Sequence, residues 1–296
     1  MVMSDRGGSS GPGSVGREVG AGAVLAVRVF FLLVLPALVL AVSWSLYVTD
    51  SAQSYLIALH GGGRRSDVPN SIAGTASGLA RAIVTTMAGL WFVALAHRKA
   101  GALVPPRFPM PAEGARERFY CTAGLFAAAL CVSMTAFSND APPVQPAGIG
   151  AEPLARHLDN ARALLAGVLE EPFYSALPVL ALAAVPWRWW NGARMPLAVG
   201  TVFVVSALAR GTMHLYQSLW AGLAACLWGL AAIYAYYRYR SLLGLITTHT
   251  AWNAVAVAQS GGNDTMARVL LVGVAGLAVV FCLYTTRVRT APAASP

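Results

Sequence analysis

Eight long apolar runs, separated by polar segments, divide this chain along most of its length. They cover about 23–48, 72–96, 119–137, 162–184, 196–216, 218–237, 241–259 and 267–286. Several runs contain the 18 or more mostly apolar residues that a helix needs to cross about 30 Å of hydrocarbon. The pattern therefore predicts an all-α, polytopic membrane protein with about eight transmembrane helices.

The composition excludes the soluble classes of protein. Of the 296 residues, 57% are hydrophobic and only 11% are charged, whereas soluble domains carry about 25% charged residues. The net charge of +9 arises mostly from Lys and Arg on the side that holds both termini. By the positive-inside rule that side is cytoplasmic. We therefore predict a plasma-membrane protein with both termini in the cytoplasm, in contact with the lipid bilayer and without a nucleic-acid partner.

The domain organisation predicted from these features is simple. Residues 1–22 are rich in Gly and Ser and are predicted to be a disordered tail. Residues 23–286 form one transmembrane domain, and residues 287–296 form a C-terminal tail. None of the four cysteines has a CxxC partner, so neither a zinc cage nor a disulfide framework is predicted.

Two adjacent carboxylates, Glu170 and Glu171, lie inside the fourth apolar run. Ionisable groups are costly within a bilayer and usually face a protein interior or a water-filled cavity. Pro172 follows at once, and a proline inside a helix removes a backbone hydrogen bond and bends the chain. We therefore expect the pair to lie at a helix irregularity that faces the bundle interior.

Two other runs carry polar pairs at helical spacing. Arg210 and His214 are four residues apart in the fifth run, as are His249 and Asn253 in the seventh, so each pair shares a helix face. A deeply placed Arg needs a carboxylate partner, here Glu170 or Glu171. Any one pair alone is typical of an ordinary contact between helices. Three helices that carry such residues together predict a cavity between spans four, five and seven.

These residue types suit hydrolysis of a peptide bond. A carboxylate in an apolar cavity can take a proton from water, while imidazoles and an Asn amide can donate to a developing oxyanion. His214, His249 and Glu170 could also form a catalytic zinc site of the His₂Glu type. The same residues can activate water without a metal, and the sequence leaves both alternatives open.

The order of these residues resembles the CPBP family of intramembrane proteases, which includes the type II CAAX prenyl endopeptidases and bacteriocin-processing proteins. The resemblance covers about 164–258, within a predicted catalytic core at 162–259. It implies that Glu170 is the general base, supported by Glu171, and that His214 and His249 position water or a metal. Asn253 would stabilise the oxyanion, and the substrate would be a peptide or protein at the membrane, prenylated or not.

The chain departs from the family pattern at two positions. Ser175 stands where the family has Arg, and Arg210 stands where an aromatic residue is common. We hypothesise that Arg210 supplies the missing charge to Glu171 from the neighbouring helix. The alternatives are an inactive relative that acts as a binding or immunity protein, and a proton-coupled transporter. Counted by residues, His249 lies near mid-membrane and His214 near the outer end of its span, so a kink, a tilt or a re-entrant segment must bring them together.

Overall fold

The computed structural model describes residues 114–137, 153–184, 194–215 and 217–290, with isolated positions between 76 and 94. Within these residues every regular element is helical, which confirms the all-α class. The predicted tail 1–22 and the first predicted span lie outside the described residues. Only isolated helical positions represent the second span, so the predicted count of eight helices is not confirmed.

Seven α-helices and one π-helical turn make up the described part of the chain. We number the helices α1 Ala115–Phe137, α2 Pro153–Glu171, α3 Leu177–Ala184, α4 Arg194–His214, α5 Leu219–Tyr239, α6 Leu242–Ser260 and α7 Asp264–Thr290, with the π-turn at Pro172–Ala176 between α2 and α3.

Several boundaries differ from the sequence prediction. Helix α2 begins at Pro153 rather than near 162, and α7 continues to Thr290, beyond the predicted end at 286. Helix α4 ends at His214, two residues before the predicted end. Ser218 is the N-cap of α5, where its side chain accepts a hydrogen bond from the backbone N–H of Ala221 at 3.0 Å. Such a cap satisfies one of the unpaired donors at a helix start, which fixes the break between α4 and α5.

Four described segments are long and apolar enough to cross a membrane. They are Arg156–Leu180, Pro196–His214, Leu219–Tyr239 and Asp264–Tyr284. Helix α6 has enough residues for a span but carries a polar stretch in its middle, Thr247–Thr250, followed by Asn253. This polar stretch lowers the mean hydropathy of α6 in the part of the helix that faces the candidate site.

Helix α5 packs against α4, α1 and the π-turn, while α6 packs against α2, α1 and α7. Small residues allow the close approach of α4 and α5. A Cβ atom added at Gly222 would lie 3.0 Å from the Gly211 carbonyl oxygen, and one at Gly211 would lie 2.1 Å from the Cys226 sulfur. Small residues are common where membrane helices touch, because they let the backbones come close. This contact brings the end of α4 against the first turns of α5.

Candidate functional site

The polypeptide leaves α-helical geometry directly after the two glutamates. The backbone N–H of Leu177 donates to the carbonyl of Pro172, five residues earlier, as in a π-helix. Pro178 has no N–H to offer the Tyr174 carbonyl, and the Ser206 hydroxyl on α4 donates to that carbonyl instead. The irregularity predicted from Pro172 is therefore confirmed, and a neighbouring helix supplies a missing donor as expected in a bilayer.

Glu171 is the centre of a buried polar cluster. Its side chain is fully buried, and its Oε1 lies 3.0 Å from Nη2 of Arg210. The same oxygen lies 2.7 Å from Nδ1 of His249, while Oε2 accepts a hydrogen bond from Ser175 Oγ at 2.7 Å. The predicted pairing of Arg210 with a glutamate of the preceding span is thus present, and the glutamate is Glu171. The His249 and Ser175 contacts are charge-assisted hydrogen bonds, which are among the stronger contacts in proteins, whereas the Arg210 contact is an ion pair without hydrogen-bond geometry.

Aromatic rings and a glycine enclose the Arg210 side chain. Its guanidinium carbon lies 4.6 Å from the ring centroid of Trp228 and 5.3 Å from that of Tyr174, within the range of cation–π attraction. The aliphatic stem passes over Gly229, where an added Cβ would lie 2.9 Å from Arg210 Cδ. The arginine is fully buried, so its charge is balanced by Glu171 and by the π faces rather than by bulk water.

The imidazole rings of His214 and His249 both contact the indole ring of one tryptophan, Trp228. The ring centroids of His214 and His249 lie 5.4 Å and 5.3 Å from that of Trp228, both in edge-type geometry. Nδ1 of His214 lies 2.9 Å from the Arg210 carbonyl oxygen. Because a carbonyl only accepts, Nδ1 must carry the proton, and Nε2 of a neutral ring remains an acceptor. His214 and His249, which the sequence places at different depths, thus contact the same side chain of α5.

Glu170 differs from Glu171 in its surroundings. Its side chain is only partly buried, yet its Oε2 atom is shielded from solvent and has no hydrogen-bond partner among the described residues. Its carboxylate interacts electrostatically with His214. A buried carboxylate oxygen without a protein donor is unusual. Of the two glutamates, Glu170 is the one with an oxygen available to a further molecule.

Asn253 reaches α2 rather than the Glu171 cluster. Its Nδ2 donates to the Ala163 carbonyl at 2.9 Å, two helical turns before Glu170. Gly167 allows the two helices to come this close, since a Cβ there would lie 2.7 Å from the Ile246 carbonyl oxygen. One of the two amide N–H groups of Asn253 is thus committed to this contact, and the second remains for another acceptor.

The metal-ligand set predicted from the sequence was Glu170, His214 and His249. Among the residues that the structure describes, no three His, Cys, Asp or Glu side chains are grouped so that they could hold a metal ion. Nδ1 of His249 faces the Glu171 carboxylate and Nδ1 of His214 faces a backbone carbonyl. Contacts of this kind leave Nε2 of each ring available, so only the grouping of the described side chains argues against a three-ligand site, and the metal stays a prediction.

Sequence reasoning did not find Trp228, Tyr174 or Phe126. Phe126 packs against both Trp228 and His249, with centroid distances of 5.8 Å and 6.1 Å. These three residues look like ordinary apolar positions in the sequence. The one available signal was the Trp228–Gly229 dipeptide, because a glycine beside a large aromatic residue leaves room for a neighbouring side chain.

The comparisons with known proteins bear on the same segment. Residues 161–255 match a family model described as Rce1-like, type II CAAX prenyl endopeptidase. The matched segment contains both glutamates, Arg210, both histidines and Asn253, and it confirms the resemblance seen in the sequence. No curated protein and no solved structure matches the chain.

Proposed function

We propose, from the membership of residues 161–255 in the CPBP family, that Glu170 is the general base of an intramembrane endopeptidase. The family supports a CAAX-type intramembrane protease in general. The finer proposal is that Glu170 and His214 hold the attacking water, while His249 and Asn253 stabilise the transition state. The substrate is a peptide or protein segment presented at the membrane.

The observation that carries this proposal is the difference between the two glutamates. Both oxygens of Glu171 are occupied, by Arg210, His249 and Ser175. Glu170 keeps a buried oxygen without a partner among the described residues. A general base must have a lone pair free to accept the proton from water, and of the two glutamates Glu170 meets this condition.

His214 complements Glu170 as a second acceptor for the same water. Because Nδ1–H of His214 donates to the Arg210 carbonyl, the Nε2 lone pair of the neutral ring remains an acceptor for another donor. One water could donate one hydrogen to Glu170 Oε2 and the other to His214 Nε2, which would orient an oxygen lone pair toward the substrate. Such positioning accounts for a large share of enzymatic rate enhancement.

The reaction then balances as an ordinary hydrolysis. Glu170 takes a proton as the water oxygen bonds to the substrate carbonyl carbon, and the carbonyl oxygen becomes an oxyanion. When the C–N bond breaks, the proton held by Glu170 passes to the leaving nitrogen. The products are a carboxylic acid and an amine, and Glu170 returns to its starting state.

His249 is placed to act on the oxyanion with Glu171 as its counter-ion. Its Nδ1–H donates to Glu171, so Nε2 must also be protonated to donate to an oxyanion, and the ring is then a cation. In that state Arg210 and His249 carry two positive charges and the two glutamates carry two negative charges. An apolar site tolerates charges best when they are paired in this way.

The structure bears on the alternative of an inactive relative. That alternative rested on Ser175, which stands where the family has Arg. Here the Ser175 hydroxyl in the π-turn donates a hydrogen bond to Glu171, and the Arg210 guanidinium on α4 forms an ion pair with it. Together the two residues supply the hydrogen bond and the positive charge that a local Arg would supply. This geometry favours the enzyme over the inactive binding protein, and no specific observation favours a transporter.

The proposal is tested with the purified protein in lipid nanodiscs. The probes are a fluorogenic farnesylated peptide that ends in Cys-aliphatic-aliphatic-X and the same peptide without the lipid. We expect Glu170→Gln to lower kcat by a factor on the order of 100 or more, as for loss of a general base. Glu117→Gln is the matched control, because Glu117 lies in the first turn of α1, outside the cluster.

The lipidated and unlipidated peptides separate the substrate classes, since a prenyl-specific enzyme cleaves only the first. If neither is cleaved, membrane proteomes of cells that express the wild type and Glu170→Gln are compared for shortened proteins. Full cleavage by Glu170→Gln, or identical proteomes, would contradict the proposed function.

A further inference from the structure

We propose that Trp228 is a positioning residue that holds both histidines and Arg210 in their working orientations. The inference rests on the proposed function for its kinetic consequence. Its structural part concerns only the orientation of side chains in the resting protein. Trp228 lies on α5, a helix to which neither the sequence pattern nor the family motifs assign a site residue.

Contacts from three polar side chains converge on the Trp228 ring. Trp228 is 6% exposed and lies 4.6 Å from the Arg210 guanidinium carbon. It lies 5.4 Å and 5.3 Å from the ring centroids of His214 and His249. Arg210 and His214 come from α4 and His249 from α6, so Trp228 is the shared wall between the two helices.

The indole of Trp228 supplies interactions that an aliphatic side chain lacks. The face of an aromatic ring is electronegative, so it attracts a guanidinium and also the polarised edges of imidazole rings. The interplanar angles of 88° with His214 and 69° with His249 are those of edge-to-face ring pairs, a favourable arrangement of aromatic rings. An aliphatic side chain of comparable volume would fill the space without attracting any of the three groups.

In the proposed mechanism each histidine works in only one ring orientation. Nδ1 of His214 faces the Arg210 carbonyl and Nδ1 of His249 faces Glu171, which leaves both Nε2 atoms for the reaction. Rotating either ring by half a turn would put a carbon atom in place of Nδ1 and break its hydrogen bond, and Trp228 packs against both rings. Loss of this wall should therefore allow more than one ring orientation and tautomer.

The test compares Trp228→Leu and Trp228→Phe with a control, Trp220→Leu. Trp220 lies on the same helix but is 40% exposed. The first readout is the ¹⁵N spectrum of histidine-labelled protein in nanodiscs, with signals assigned by His214→Gln and His249→Gln. We expect a single Nδ1–H tautomer of His214 in the wild type, Trp228→Phe and Trp220→Leu, and a mixture of tautomers in Trp228→Leu.

The second readout is kinetic. We expect Trp228→Leu to lower kcat about tenfold, from loss of desolvated cation–π and edge contacts, with KM changed less than about twofold. Trp228→Phe should restore most of kcat, because its ring keeps an aromatic face. A packing role alone would not distinguish Phe from Leu in this way at equal thermal stability. If Trp228→Leu does not fold, Trp228→Met takes its place, since Met fills irregular space readily.

The proposal is overturned if the aliphatic variant keeps the wild-type ¹⁵N pattern for both histidines, or if Trp228→Phe loses it. An inactive wild-type protein with the expected ¹⁵N patterns would defeat the proposed function while leaving the positioning role in place. If the wild type is active and Trp228→Leu keeps the wild-type spectra and kcat, the positioning role is contradicted while the proposed function stands.

Discussion

Replacing Arg210 with Ala tests the central electrostatic feature of the site. The substitution leaves Glu171 in place, fully buried, with the His249 imidazole and the Ser175 hydroxyl as its remaining partners. A buried carboxylate without its counter-ion is strongly disfavoured. We therefore expect the protein to lose stability and activity together, although Arg210 itself touches no substrate in the proposed mechanism.

The magnitude follows from the geometry of the pair. At the observed N···O separation of 3.0 Å, with an effective dielectric constant near 20, the direct attraction is about 5 kcal/mol. Removing one partner of a buried pair typically costs about 3–5 kcal/mol. For a domain of this size, that corresponds to a fall in Tm of about 10 °C, measurable by thermal unfolding in nanodiscs.

Three matched variants isolate the cause. The double variant Glu171→Gln with Arg210→Met removes both charges, so it should recover most of the lost stability but remain impaired in catalysis. Arg210→Lys keeps the charge without the planar guanidinium and should fall between Ala and wild type. The relocation variant, Ser175→Arg with Arg210→Ala, returns a cation to the family position and should recover part of the activity.

The reasoning is refuted if Arg210→Ala unfolds at the wild-type temperature and cleaves at the wild-type rate. It is also refuted if the double variant is no more stable than Arg210→Ala. In that case the loss would come from packing around the arginine stem rather than from an uncompensated charge.

Two further predictions follow from the same site. Gly229→Ala should lower Tm and kcat, because the new Cβ would lie 2.9 Å from Arg210 Cδ and overpacking costs about 1–3 kcal/mol. Gly276→Ala is the control, because a Cβ there has no atom within 4 Å. Equal effects in the two variants would contradict this prediction. Treatment with a zinc chelator should leave cleavage within about twofold of the untreated protein, because the described residues bring no three ligands together. Activity that is lost with the chelator and restored by Zn²⁺ would show that a metal site exists.

The sequence by itself determined the class of the protein and the positions of its polar residues. Apolar runs of membrane length require helices, because only a helix satisfies every backbone group within one segment in lipid. Costly residues such as Glu170, Glu171 and Arg210 stand out against such runs. Pro172 likewise predicted the helix irregularity, because the missing N–H of a proline is a local property of the chain.

Only the tertiary structure decided how those residues divide their roles. Whether Arg210 meets Glu170 or Glu171 depends on the rotation of α4 against α2, which the spacing along either helix does not determine. The contribution of Trp228 was also invisible in the sequence, because an aromatic residue in an apolar helix resembles any other core position. Spacing along one helix determines which residues share a face, whereas contacts between helices depend on packing that is set by many small residues at once.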